Sequence, residues 1–158
     1  MKEQFKLFTG LISSINRNIR RVKTEIMADY ELKCPHVSAI YYLYVEGRLT
    51  LKALCELCNE DKGAISRSVK SLAEDGLVDT NSISTKYKNK LSLTEKGKAI
   101  GKEIALKIDI AVKKATHNLS EDDKNYIYSG LSTINKNLEN FLHNDIAPLF
   151  AHCITPIL

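Results

Sequence analysis

The sequence predicts a mainly α-helical protein with one short β-hairpin near its middle. Long stretches at both ends carry apolar residues in steps of three and four, which is helical spacing. Between them, residues 61–80 have the pattern of a short amphipathic helix, a glycine stop and a strand. Alternation of apolar and polar residues over 91–93 indicates a returning strand. These observations predict a central lobe with helices on either side.

The first predicted helix covers residues 3–29. Its apolar stripe alternates steps of three and four, as heptad repeats do: Phe5, Phe8, Ile12, Ile15, Ile19, Val22 and Ile26. One small domain does not need so long a stripe, so we expect this helix to pack against another long helix, within the chain or in a partner subunit. Four basic residues lie between the stripe positions: Arg17, Arg20, Arg21 and Lys23. We interpret them as a solvated face.

Two shorter helices and a tight turn follow. Pro35 disfavours helix at the residue before it and suits the first turn of a second helix. Thr50 is a suitable N-cap for a third helix. The inward positions of that helix are Leu51, Leu54 and Leu57. Residues 59–61 then turn into a fourth helix, and two short helices joined in this way are typical of a helix-turn-helix.

The fourth helix carries the strongest functional signal. Asp61 suits its N-cap, and Gly76 suits the left-handed position after its last turn. The apolar face consists of Ile65, Val69 and Leu72. The opposite face is small, hydroxylated and basic: Lys62, Gly63, Ser66, Arg67 and Lys70. A helix with such a face can enter the major groove of DNA, where arginine pairs with guanine and serine bonds a base or a phosphate.

A polar, turn-rich segment separates this helix from the returning strand. It covers residues 79–90 and contains Lys86 and Lys88, which we expect to contact phosphates. A two-stranded hairpin placed after a helix-turn-helix is a wing. Thr94 then caps a long helix, and Ser120 with the three acids after it starts a last one. We expect the apolar segment 144–158 to pack on the terminal helices or across a subunit interface.

Composition excludes several classes of protein. No apolar run approaches the ~20 residues of a membrane span, and the N-terminus lacks a signal-peptide pattern, so we expect a cytoplasmic protein without membrane contact. Four cysteines are too few for a secreted disulfide framework. The four histidines are scattered, and phosphate-binding, dinucleotide and zinc-protease motifs are absent from the sequence. We therefore expect neither an enzyme nor a cofactor.

Two segments resemble the MarR (multiple antibiotic resistance regulator) family of transcription factors. DKGAISRSVKSLAEDGLV at 61–78 is similar to the family's recognition helix, and LSLTEKGKAI at 91–100 to the segment that leads into its long fifth helix. The resemblance implies a winged helix-turn-helix DNA-binding lobe at 34–93, an N-terminal dimerisation helix at 1–33, and C-terminal dimerisation helices with an apolar tail at 94–158. The amphipathic terminal helices favour a dimer independently.

The family resemblance also implies a function. It predicts a homodimeric repressor that binds double-stranded DNA at a palindromic operator and is released by a small aromatic or anionic effector. Family wings usually carry Asp-x-Arg near the tip, where this chain has Thr85, Lys86 and Tyr87. Because lysine reads a narrow minor groove less well than a planar guanidinium, we expect weaker or more salt-sensitive binding.

Two alternatives remain open on the sequence alone. The missing wing arginine favours a protein-interaction module in which DNA binding is weak or lost. A thiol-based redox regulator would need an exposed cysteine, for which Cys34 beside a turn is the candidate. Cys55 and Cys58 fall at core positions and should behave as small hydrophobes, and a metal site there lacks a second ligand pair.

A last set of residues has the chemistry of an effector crevice. Tyrosine and arginine together suit an anionic aromatic ligand: Tyr41, Tyr42, Tyr44, Arg17 and Arg21. Aromatic packing and a solvated helix face explain each of these residues more simply. We therefore assign no ligand-binding residue from the sequence.

Overall fold

The computed structural model describes residues 2–26, 28–30, 32, 34–80 and 90–145. The helices are α1 (Lys2–Ile26), α2 (Cys34–Glu46), α3 (Leu51–Cys58), α4 (Lys62–Glu74), α5 (Glu95–Ala115) and α6 (Glu121–Asn140). The strands are β1 (Leu49–Thr50), β2 (Val78–Asp79) and β3 (Lys90–Leu93). Residues 1–113 and 114–158 form two compact units, each described here by itself. None of the helices within the described ranges is long and apolar enough to span a membrane.

The core of the first unit lies between α2, α3, α4 and α5. Its completely buried large side chains come from all four helices: Val37, Ile40, Leu54, Ile65, Leu72 and Ile104. Burying one aliphatic side chain of this size contributes roughly 1.5–3 kcal/mol. The predicted apolar face of the fourth helix is confirmed, since Ile65, Val69 and Leu72 are all buried. This packing fixes which face of α4 points outward.

A three-stranded antiparallel sheet, in the order β1-β3-β2, closes one side of this core. Val78 pairs with Leu93, so the predicted hairpin after the fourth helix is confirmed. The sequence did not predict β1, in which Leu49 pairs with Leu91. Two residues are too few to show an alternating pattern, and the second of them, Thr50, also serves as the N-cap of α3.

One predicted core position is wrong. Leu57 was expected to point inward, but its side chain is 38% exposed. A step of three residues falls 60° short of a full helical turn, so Leu57 is rotated about 60° away from Leu54. Cys58 follows Leu54 at i+4 and packs against the core instead, together with Cys55. The prediction that these two cysteines act as small hydrophobes is confirmed.

The terminal helices are long, as predicted, and their apolar stripes are exposed. All residues of α1 are described, and none is buried; Ile15 and Ile19 are each about half exposed. In the second unit, α6 begins with a capping box in which Ser120 and Asp123 bond each other reciprocally. Its stripe residues are also exposed: Ile127, Leu131, Ile134, Leu138 and Phe141. The predicted packing of the apolar tail falls on 146–158, outside the described residues.

Candidate nucleic-acid interface

The N-terminus of α4 is set by the turn before it. Asn59 adopts a left-handed conformation (φ 52°) and ends α3, as asparagine can do at low cost. Asp61 then caps α4, its Oδ1 accepting a hydrogen bond from the backbone N–H of Ala64 at 2.8 Å. The predicted cap is therefore confirmed. This end of the helix lies at the surface, and residues 61–63 are exposed.

The outward face of α4 carries the side chains proposed for DNA contact. All five are exposed: Lys62, Gly63, Ser66, Arg67 and Lys70. A Cβ atom at Gly63 would lie 3.1 Å from Asp61 Oδ1 and 3.3 Å from Arg67 Nη1, so the guanidinium lies close to the glycine. Lys70 forms an exposed i,i+4 ion pair with Glu74 at 3.9 Å. Such a pair contributes little to stability and is readily given up for a phosphate.

The C-terminus of α4 is fixed by the first turn of α5. Gly76 has φ 69°, as predicted for the stop, and the Leu77 N–H donates to Leu72 O at 2.8 Å. Thr94 Oγ1 donates to Gly76 O at 2.7 Å and accepts from the Gly97 N–H at 3.0 Å. A Cβ atom at Gly97 would lie only 2.0 Å from Leu77 O. The glycine of the LTEKG segment therefore allows α5 to reach the end of α4.

A basic side chain completes this junction. Lys96 Nζ donates to the backbone oxygen of Asp75 at 3.0 Å, next to the last turn of α4. A cation there satisfies a carbonyl at the negative end of the helix dipole. The sequence predicts Thr94 only as a helix cap and indicates no role for Lys96. Both residues lie about 20 positions after the end of α4, so no local pattern indicates their hydrogen bonds to Gly76 and Asp75.

The loop of the wing covers residues 81–89, which lie outside the described residues. It includes Thr85, Lys86, Tyr87 and Lys88. The assignment of the two lysines as phosphate contacts therefore stays a prediction. The base of the wing is well defined, since Leu91 and Leu93 are buried and Lys90 is exposed.

Polar interactions connect α1 and the turn after it to the rest of the first unit. Arg20 Nη2 lies 3.8 Å from Glu60 Oε1, beside the N-cap of α4. Lys23 Nζ lies 2.9 Å from Ser38 Oγ on α2. Near the end of α1, Lys107 Nζ donates to Ile26 O at 3.0 Å. These contacts place Arg20 beside the turn before α4 and Lys23 beside α2.

A further interaction joins Tyr30 to Glu103 on α5. The Tyr30 hydroxyl donates to Glu103 Oε2, and Lys107 forms an ion pair with the same carboxylate at 2.8 Å. The hydrogen bond from Lys107, and then that from Tyr30, lowers the pKa of Glu103 below its usual value. The charged form of Glu103 therefore stabilises the junction between the end of α1 and α5.

The residues considered for an effector crevice do not share one cavity. Arg17 and Arg21 lie on an open surface of α1 to which no other described element contributes a lining residue. Tyr44 lines a cavity of about 390 Å³ with Arg48 and Lys98 near the base of the wing. The tyrosines Tyr41 and Tyr42 pack against the core, with their rings edge to face at 5.3 Å.

Two of the four cysteines have described side chains. Cys55 and Cys58 are half-buried and form no disulfide bond. Nowhere in the described parts of the chain do three or more His, Cys, Asp or Glu side chains group so that they could hold a metal ion. The side chain of Cys34, the exposed-thiol candidate, lies outside what the structure describes.

Comparison with known proteins gives a consistent result at the level of structure. No protein-family model and no curated sequence matches the chain. Solved structures do match. A MarR family transcriptional regulator from Silicibacter pomeroyi is 27% identical, with a TM-score of 0.71 over 80% of this chain and 86% of that one. A MarR/EmrR family regulator from Acinetobacter sp. ADP1 is 18% identical, with a TM-score of 0.77 over 85% and 96%.

A third match was solved in a functional state. MepR from S. aureus, in its DNA-binding conformation, is 16% identical, with a TM-score of 0.73 over 83% of this chain and 98% of that chain. These similarities extend over nearly the full length of the matched proteins. Together with the six helices and the small sheet, they confirm the resemblance drawn from residues 61–78 and 91–100: the chain has the winged helix-turn-helix fold of the MarR family.

Proposed function

We propose that the protein is a DNA-binding transcription regulator of the MarR type and that α4 is its recognition helix. One observation carries the proposal. The apolar side of α4 is buried, both of its ends are fixed, and its outward face presents Ser66, Arg67 and Lys70 on a rigid support. A helix held in this way can place paired donors against base edges in a major groove.

The proposal includes a homodimer. The apolar stripes of α1 and α6 are each exposed within their own unit. Contiguous exposed apolar surface of this kind usually marks an interface. A two-fold dimer would carry two copies of α4 and would therefore favour a palindromic operator, with half-sites about one turn of DNA apart.

We also propose that the regulator is a repressor that a small aromatic or anionic molecule releases from DNA. The cavity near the base of the wing supports this part of the proposal, because its lining combines the ring of Tyr44 with two cations, Arg48 and Lys98, against one acid, Asp79. Its volume of about 390 Å³ suits a small ligand.

Arg67 is the residue that tests the proposed reading of DNA. Arg67→Ala should cost about 1–3 kcal/mol in operator binding and relax the base preference at one position. Arg67→Lys keeps the charge but loses the planar fork, so it should also relax that preference while retaining most of the salt dependence. Lys102→Ala, which removes an exposed charge on α5, is the control. Unchanged affinity and base preference in both Arg67 variants would contradict the assignment, and no duplex binding at low salt would favour the interaction module.

A further inference from the structure

We infer that a second basic surface, on α1, contacts the DNA backbone beside the recognition helix. This arginine face consists of Arg17, Arg20 and Arg21. The inference rests on the proposed function, since it concerns the same duplex. The sequence alone favoured a solvated face for these residues, and the position of α1 in the structure changes that interpretation.

The arginine face is a single surface on one side of α1. Its three members stand at i, i+3 and i+4, which places their side chains next to one another. All three are exposed and belong to one continuous open patch on the surface of the helix. The apolar stripe lies on the opposite side, since Arg17 is 200° from Ile19 at 100° per residue. A partner helix packed on the stripe would therefore leave the arginines accessible.

The Arg20–Glu60 ion pair places this face beside the DNA-reading end of the lobe. Glu60 directly precedes Asp61, the N-cap of α4, and its side chain lies 3.8 Å from Arg20. In a helix-turn-helix the N-terminal residues of the recognition helix approach the base edges, and the elements around the turn lie along the backbone. A basic surface next to Glu60 is therefore close to a phosphate strand when α4 occupies the groove.

The charges around the face favour a polyanion. The open patch on α1 contains the three arginines and one acid, Glu25, with neutral side chains between them. Glu60 partly neutralises Arg20, whose side chain is still 65% exposed. Arg17 and Arg21 therefore supply the main positive charge. Planar guanidinium groups in a row suit phosphate oxygens, and backbone contacts of this kind carry no sequence information.

The arginine face could also supply guanidinium contacts to DNA that the wing, which contains no arginine, cannot make. No arginine follows Arg67 in the chain, so any guanidinium contact outside α4 must come from residues 1–66. Four of the five arginines lie there, and three of them form this face. Phosphate contacts from α1 would maintain the affinity for DNA, although no arginine of the wing would enter the minor groove.

The test measures the salt dependence of binding to duplex DNA. Removing one phosphate contact should flatten the slope of log K against log[salt] by about 0.9. In the proposed homodimer Arg17→Gln/Arg21→Gln removes two such contacts from each protomer, so its slope should be shallower than that of wild type by about 3.6. Affinity for specific and random duplexes should fall by the same factor. Arg17→Lys/Arg21→Lys keeps the charges and should retain the slope. Glu60→Gln removes an acid and releases Arg20, so it should strengthen binding a few-fold.

Lys2→Gln/Lys6→Gln is the matched control, because it removes two charges from the same helix. Lys6 lies 14 residues before Arg20, or about 21 Å along the axis. The slope of log K against log[salt] for this lysine variant should equal that of wild type. An unchanged slope in the arginine-to-glutamine variant, or equal flattening in the lysine control, would overturn the inference while leaving the proposed function standing. No duplex binding by the wild-type protein would overturn both.

Discussion

The helix α4 of the lobe and the terminal helices α1 and α6 have similar amphipathic patterns, but their apolar side chains differ in burial. Within its 13 residues, α4 buries Ile65, Val69 and Leu72. Nearly twice as long, α1 buries none of its residues, all of which are described. In the second unit the described residues of α6 likewise bury none. The lobe and α5 therefore share a closed core, whereas α1 and α6 keep an apolar side for another surface.

This difference assigns separate roles to the two regions. A lobe with a closed core can hold α4 rigidly, which accurate placement of donors at base edges requires. Long helices with an open stripe can associate with a second copy. Stability should therefore respond to changes in the lobe, and assembly to changes in the stripes.

The largest effect should come from a charge placed in a stripe. Ile134 on α6 is 38% exposed in its own unit. If a partner covers it, Ile134→Asp puts a carboxylate into an apolar interface at a cost of several kcal/mol, and the dimer should dissociate. Sedimentation velocity would show the monomer. Ser132→Asp, on the other side of the same helix, should remain dimeric, and a dimeric Ile134→Asp would contradict the role given to the stripe.

A cavity in the lobe should cost stability. Leu72 is completely buried, so Leu72→Ala should lower the free energy of unfolding by about 2–5 kcal/mol. Leu57→Ala removes the same atoms from a side chain that is 38% exposed, and should cost less than about 1 kcal/mol. Urea denaturation of both variants measures the difference. Equal losses would mean that Leu57 is covered in the folded protein.

The cap of α4 should have a smaller effect. Asp61→Ala removes the side-chain acceptor of the Ala64 N–H and should cost about 1 kcal/mol of unfolding free energy. Asp61→Asn keeps an acceptor and should retain most of that stability. Thermal denaturation of the pair is the measurement. If Asn were as destabilising as Ala, the carboxylate charge rather than the hydrogen bond would be what stabilises the turn.

The smallest effect concerns the junction between the end of α1 and α5. The pKa of Glu103 is lowered in the folded protein, so its contribution is present at neutral pH and is lost as the pH falls through that lowered pKa. The difference in unfolding free energy between wild type and Glu103→Gln should therefore shrink below about pH 4. Tyr30→Phe removes one of the two hydrogen bonds and should show part of the effect. A difference that does not vary with pH would contradict the role of the charged carboxylate.

Local patterns predicted the elements and caps of the lobe because each depends on near neighbours. Asp61, Thr50 and Ser120 are followed within three residues by the N–H groups whose hydrogen bonds they accept. The apolar face of α4 followed from its spacing in the same way. The order of elements followed from these patterns as well, and the family resemblance added the implied function, which spacing alone does not indicate.

Interactions between distant parts of the chain were not predictable. Lys96 reaches Asp75 across 21 residues, and Arg20 reaches Glu60 across 40. The spacing of residues within one segment does not specify which distant segment packs against it. The sequence therefore predicted the outward face of α4 but placed Arg17, Arg20 and Arg21 only on a helix surface. Their position beside the N-terminus of α4 depends on the packing of α1 on α2, which no local pattern specifies.

The central claim is that two copies of α4 read one duplex. Selection from a pool of random duplex DNA tests it most directly, with the full-length protein at low salt. The enriched DNA sites should consist of two half-sites related by a dyad and about one helical turn apart. The Ile134→Asp variant should not enrich such paired sites. Enrichment of single, unpaired half-sites, or no enrichment, would contradict it.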